Sequence, residues 1–145
     1  MSQLGDSERH HQYKEEIFNL FEKEPYASSM GIRLVEIGEG SAAAELKTAD
    51  HMVNSHGTIH GAVIFALADF AFAAACNSYG RTCVGLSTTV NFMSAGQKGA
   101  VLRAEAVEEK KNYRTAWYNI KVFSGDELIA SMEAMAYRKD HYFVP

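Results

Sequence analysis

Cysteine is scarce in this chain. Only Cys76 and Cys83 occur in 145 residues, too few for a secreted-type disulfide framework. No signal peptide is recognisable at the N-terminus, so reduced thiols and a cytoplasmic location are expected. Long hydrophobic runs are also missing. The longest, residues 62–76, falls short of the ~20 residues a membrane span needs. It also has Asp69 at its centre, so a core helix and no membrane partner are expected. Positive charge is in deficit, with 14 Lys and Arg against 18 Asp and Glu and a net charge of −4. A chain without a basic face lacks the phosphate contacts that general nucleic-acid binding requires. Several catalytic motifs are absent too: there is no HExxH, no CxxC and no GxSxG, and "GEGS" at 38–41 lacks the third glycine of a dinucleotide loop.

What is present is ordinary in bulk. Apolar residues make up 47% and charged residues 22%, in a length that suits one domain able to bury a core without metal or disulfides. Residues 1–11 are polar and are expected to be a flexible segment ahead of a single domain over 12–145. Apolar residues at 13, 17, 18, 20 and 21 fit one face of a short helix that Pro25 ends, and a second short turn over 26–30 stops at Gly31. "IRLVEIG" and "SAAAELK" read as two strands about a "GEG" turn, with Ile32 and Leu34 on one phase and Val35 and Ile37 on the other. A helix is predicted over 61–78, ending near Gly80. Four strand signals follow, over 83–93, 101–108, 115–123 and 128–138, separated by short breaks that favour antiparallel neighbours. The fold class is α+β. One antiparallel sheet of five to six strands, wrapped around a long, mostly apolar central helix, buries all of it most simply.

Asp69 is the first candidate for chemistry. It is the one charge in residues 61–78, which carry seven alanines. A carboxylate there loses hydration unless donors or a cleft compensate. It lies either on the single wet stripe of a core helix or in a functional cleft. The N-terminus of that helix is second. Its first N–H groups lack intrahelical partners and carry positive partial charge. Small Gly61 and Ala62 would let a ligand oxygen approach closely enough to have its carbonyl polarised. The same small residues would equally serve close helix packing. Asn54, Ser55, His56 and His60 precede the helix. No metal site is expected from His51, His56 and His60, because no ligand motif frames them and loop histidines ordinarily hydrogen-bond or face solvent. Cys76 and Cys83 read as small buried hydrophobes rather than nucleophiles. Lys98, Lys110, Lys111 and Arg114 fall at strand ends, either as solvated turn residues or as contacts for a phosphate-bearing ligand.

The stretch "NSHGTIHGAVIFALADFAFAAACNSYG" (54–80) resembles the signature of PaaI-type acyl-CoA thioesterases of the hotdog fold. That signature is an Asn, a short loop, His-Gly-Gly, and an Asp eight residues after the first Gly. "FALADFAFAAACNSYG" is especially similar to phenylacetate-pathway members. The similarity runs over about residues 26–138, including "GLSTTVNFMSAG". It implies hydrolysis of acyl- or aryl-acetyl-CoA to the acid and CoA, with CoA entering as part of the substrate and no separate cofactor or metal. Carried over by residue, Asp69 matches the catalytic carboxylate, acting as general base or nucleophile. Gly61 matches the residue whose backbone N–H polarises the thioester carbonyl. Asn54 matches a residue holding water or thioester, His60 the motif histidine, and Ser87 a strand hydroxyl near the site. The basic residues named above would meet the CoA phosphates. Ala62 replaces the second Gly, which bears on pocket size and substrate shape, and Ala95 stands where Pro is common. A non-catalytic acyl-CoA-binding hotdog domain and a hotdog enoyl-CoA hydratase or dehydratase are the alternatives.

Gly61 and Asp69 are eight positions apart. On one helix that is ~12 Å of axis, whereas groups acting on one carbonyl must lie within ~3–3.5 Å of the reacting atoms. A two-fold homodimer, with Gly61 of one subunit facing Asp69 of the other, resolves the mismatch. The resemblance implies the same arrangement, doubled to a homotetramer.

Overall fold

The structure, a computed structural model, describes residues 4–145. Its elements are α1 (Asp6–Glu22), α2 (Pro25–Met30), β1 (Arg33–Gly38), β2 (Ser41–Lys47), a 3₁₀ turn at Asp50–Met52, α3 (Gly61–Cys76), β3 (Arg81–Phe92), β4 (Val101–Lys111), β5 (Thr115–Ser124) and β6 (Glu127–Tyr142). The six strands form one sheet in the order β1-β2-β4-β5-β6-β3, antiparallel throughout. At 16 residues α3 is no longer than α1, which has 17, so length does not distinguish it. Its position does, because it packs against all six strands.

Small side chains bring helix and sheet together. Ala42, Ala43 and Ala44 of β2 are buried, as are Ala71, Ala74 and Ala75 of α3, so backbones approach closely and Leu67, Phe72, Ile120 and Met132 fill the remaining volume. The change of phase in "IRLVEIG" has a structural cause. A bulge between Leu34 and Glu36 slips the register by one residue, so Leu34 and Ile37 both turn inward while Val35 is exposed.

The N-terminal segment corrects one expectation. Residues 6–11 are not loose: they continue α1 beyond a kink at Tyr13 (φ −116°, ψ 19°). Charge holds them rather than an apolar face, which is why periodicity missed them. Asp6 meets Arg138 at 2.6 Å and Lys111 at 2.9 Å, His10 donates through Nδ1 to the Ser78 carbonyl at 2.7 Å, and Arg9 stacks 4.1 Å from the Tyr142 ring centroid. Arg9 and His10 are buried. Burial by itself would raise the Asp6 pKa, but hydrogen bonds from Lys111 and Arg138 outweigh it and hold the carboxyl below its ordinary 3.8. A depressed carboxylate stabilises the fold above its unfolded pKa and loses that contribution as pH falls through the folded value. Asp6→Asn should therefore cost about 2–4 kcal/mol near neutral pH, since it leaves buried Arg138 without its carboxylate. In urea unfolding, the gap between variant and wild type should narrow below pH 3.8.

Candidate active site

Every position of α3 that is not buried lies on one stripe: Gly61, Ala62, Phe65, Ala66, Asp69 and Ala73. That stripe floors a groove of about 520 Å³, walled on one side by Glu24 and Tyr26 from the start of α2 and on the other by Val90 and Phe92 of β3. The two readings of Asp69 therefore coincide, because the wet stripe of the helix is the floor of the cleft. Asp69 is open to solvent along the groove, yet the surrounding apolar walls remove enough hydration to raise its pKa above the ordinary 3.8. Glu24 is raised as well, first by lost hydration and further by the charge of Asp69. A larger depression of about 630 Å³ lies between α1 and β1, but it is lined mostly by solvent-facing charged and polar side chains and holds none of the candidate residues.

His60 is the N-cap of α3. Its Nδ1 accepts from the Ala62 N–H at 3.0 Å, so the neutral ring carries its proton on Nε2. The Val63 N–H goes to the His60 carbonyl at 2.9 Å. Among the described residues the Gly61 N–H has no hydrogen-bond partner, and Gly61 lines the groove at the positive end of the helix. A side chain is unwelcome at Gly61, since a Cβ there would sit 3.3 Å from Phe92 Cζ.

The remaining expected residues fall in different places. Asn54 also lines a depression shared with Gly61, but its amide is occupied in its own loop. Oδ1 accepts from the His56 N–H at 2.9 Å and the Thr58 N–H at 3.2 Å, and Nδ2 donates to Thr58 Oγ1 at 3.0 Å. It thereby shapes the loop that delivers His60 and Gly61, with one of its two amide N–H groups used in that loop. Ser87 is not at the groove within one chain. A bulge at Leu86, between the Gly85↔Ala136 and Ser87↔Met135 pairs, reverses the alternation of β3. Thr88 pairs with buried Ala134 on the helix-facing side, and Ser87 faces outward beside Thr89, Trp117 and Glu133.

The basic residues do not form one phosphate patch. Lys98 precedes β4 while Lys110, Lys111 and Arg114 lie at its far end, about 33 Å away at strand rise. Lys98 meets Asp50 at 3.2 Å, Arg114 meets Asp140 at 2.8 Å, and Lys111 is held by Asp6 and stacks on Tyr79. Lys110 alone of the four has no acidic partner among the described residues. Cys76 and Cys83 are buried free thiols. Among the described residues no group of three or more His, Cys, Asp or Glu side chains is placed to hold a metal, and no helix is long and apolar enough to cross a membrane. Glu24, Tyr26 and Val90 line the groove without having been singled out from the sequence, whereas Phe65, Phe70 and Phe92 are aromatics that suggest an apolar pocket already in the sequence, where core packing would explain them equally. A carboxylate ahead of Pro25, a tyrosine after it and a valine inside a strand carry no motif that would flag them.

An apolar helix against an antiparallel sheet, with an open helix N-terminus and a carboxylate two turns on, defines a hotdog-fold protein. The sequence matches the family described as "Thioesterase superfamily" over residues 56–131. It is similar to acyl-coenzyme A thioesterase PaaI of Escherichia coli, at 34% identity over 103 residues, 71% of this chain and 74% of that protein. A relative from Archaeoglobus fulgidus, described only as a candidate esterase, is 33% identical over 145 aligned residues, covering 99% of this chain and 89% of its own. Among solved structures, E. coli PaaI superposes with a TM-score of 0.85 at 28% identity, covering 95% of this chain and 99% of that one. The TT0310 protein of Thermus thermophilus gives 0.78 at 32% identity, covering 81% and 99%. The chain belongs to the thioesterase superfamily and is of the PaaI type.

Proposed function

We propose that the protein hydrolyses acyl-CoA thioesters, including aryl-acetyl esters, to the free acid and CoA. The observation that carries this reading is the pairing of an unpartnered Gly61 N–H with the Asp69 carboxylate along one groove. The N–H and the helix dipole bind the thioester oxygen and stabilise the oxyanion that forms on attack. Asp69 takes a proton from water or attacks the carbonyl itself. Burial raises the Asp69 pKa and with it the basicity of the carboxylate, which suits proton abstraction from water. A pure acyl-CoA binder has no use for such a group beside the carbonyl. The aromatic walls, Tyr26, Phe65, Phe70 and Phe92, favour an apolar or aromatic acyl group.

Both residues lie on α3, so the ~12 Å between them stands, and one chain does not close a site. The free edge of β3 lies beside the groove and exposes Val84 and Leu86, a strand edge suited to pairing with its two-fold copy. The reading is therefore of a homodimer with two shared sites, and of a homotetramer where two dimers associate.

Thiol release from a panel of phenylacetyl, hydroxyphenylacetyl, benzoyl and straight-chain CoA esters tests the activity. A mixture of two inactive variants tests the sharing. If Gly61→Pro and Asp69→Asn subunits are unfolded together and reassembled, half the dimers are mixed and each holds one intact site, so about a quarter of wild-type activity should return. No recovery from a mixture shown to contain mixed dimers would place both groups in one chain.

A further inference from the structure

Gly61 and Phe92 border two depressions at once: the 520 Å³ groove that holds Asp69, and a second of about 370 Å³ where Asn54, Thr58 and Ser94 stand among Ile59, Ile64 and Met93. Phe92 is the last residue of β3 and is 54% exposed, a large aromatic left uncovered at the end of an edge strand. Its ring stands over Gly61, with Cζ, Cε1 and Cε2 at 3.3, 3.4 and 3.8 Å from where a Cβ would be. The ring is thus the wall between the two spaces, placed at the one unpartnered N–H of the helix start.

The two sides differ in chemistry. Beside its two carboxylates the groove offers Tyr26, Phe65, Phe70 and Val90, whereas the second depression sets Thr58, Ser94 and the loop-bonded Asn54 among Ile59, Ile64 and Met93 and carries no other aromatic than Phe92. An acyl-CoA thioester has the same asymmetry about its carbonyl, an apolar or aromatic acyl group on one side and a polar pantetheine arm with two amides on the other. We infer that Phe92 is a specificity-determining residue: its ring divides the acyl compartment from the channel for the thiol arm and limits the bulk of the group that can lie next to the carbonyl at Gly61. The inference rests on the thioesterase reading of this site. It assigns to Phe92 a steric role and no part in proton transfer.

The test measures kcat/KM of wild type, Phe92→Ala, Phe92→Leu and Phe92→Trp on acetyl-, phenylacetyl- and naphthylacetyl-CoA. Removing the wall should raise the naphthylacetyl-to-acetyl ratio about tenfold or more in Phe92→Ala. Phe92→Leu should fall between, and Phe92→Trp should move the ratio the opposite way. Calorimetric binding of the matching non-hydrolysable CoA thioethers should follow the same ranking without turnover, which keeps the inference testable if one variant folds poorly. A uniform loss across all three esters, with an unchanged ranking in the thioethers, overturns the role of Phe92 and leaves the hydrolase reading intact. A wild type that binds the thioethers but releases no thiol from any ester overturns the hydrolase reading instead.

Discussion

Asp69→Asn should lower kcat by about 10²–10⁴, the range expected when a positioned base or nucleophile is lost. The fold should survive. Asp69 lies on the open stripe of α3 and holds up no packing, and Asn is nearly isosteric. Thermal stability should even hold or rise slightly. Lost hydration raises the folded pKa of Asp69 above 3.8, so its ionised form is disfavoured by folding and its charge opposes stability above that pH. The same shift sets the pH dependence. Hydrolysis requires the carboxylate, so kcat/KM should climb with pH through a group titrating above 3.8, and that limb should vanish from the residual activity of the variant. A steady-state pH profile beside a melting curve checks both. Near-wild-type turnover by a folded, assembled Asp69→Asn protein would remove this carboxylate from the mechanism.

Gly61→Pro should lose about 10²–10³ in kcat relative to Gly61→Ala, the size of one oxyanion-binding donor. The comparison isolates a single N–H. Gly61 is the first residue of α3, a position where proline is tolerated because the N–H it lacks has no helical partner. His60 before it has φ −61° and ψ 137°, the extended conformation that a residue ahead of proline prefers. Both variants add a Cβ that pushes on Phe92, and the ring is exposed enough to yield. Only proline also removes the donor. Equal activities in the two would show that the Gly61 N–H does not bind the substrate oxygen.

The main elements were legible because local pattern decided them. α3 is a continuous apolar run of helical length with no β-branched cluster, capped by His60 and closed near Asn77. The six strands alternate between short turn signals, and each is found within a few residues of its expected bounds. The site residues on α3 were equally visible, since a charge in such a run and a glycine at its start stand out in the sequence. What the sequence hides is register and distant charge. The side of the sheet that Ser87 faces is set by a single bulged residue at Leu86, and a bulge leaves no mark on an alternating pattern. Residues 6–11 were read as loose because their helix is fastened by Asp6, Arg9 and His10 to partners more than sixty residues away, not by an apolar stripe. Lys111 reads in the sequence as a solvated turn residue or a phosphate contact, and neither reading contains its pairing with Asp6.

The sequence by itself determined that one apolar helix sits against an antiparallel sheet, and that this helix carries a small-residue N-terminus and a single carboxylate. Hydrophobic period and residue size act within a few neighbours, so they can be read along the chain. Only the tertiary structure decided what surrounds that carboxylate. Glu24 and Tyr26 come from α2, and Val90 and Phe92 from the edge of the sheet, to make the stripe into a groove. Asn54 turns out to serve its own loop, and the basic residues are divided between the ends of β4. Those outcomes depend on register, on bulges and on charge pairs between distant residues, whose energies exist only once the chain has closed on itself.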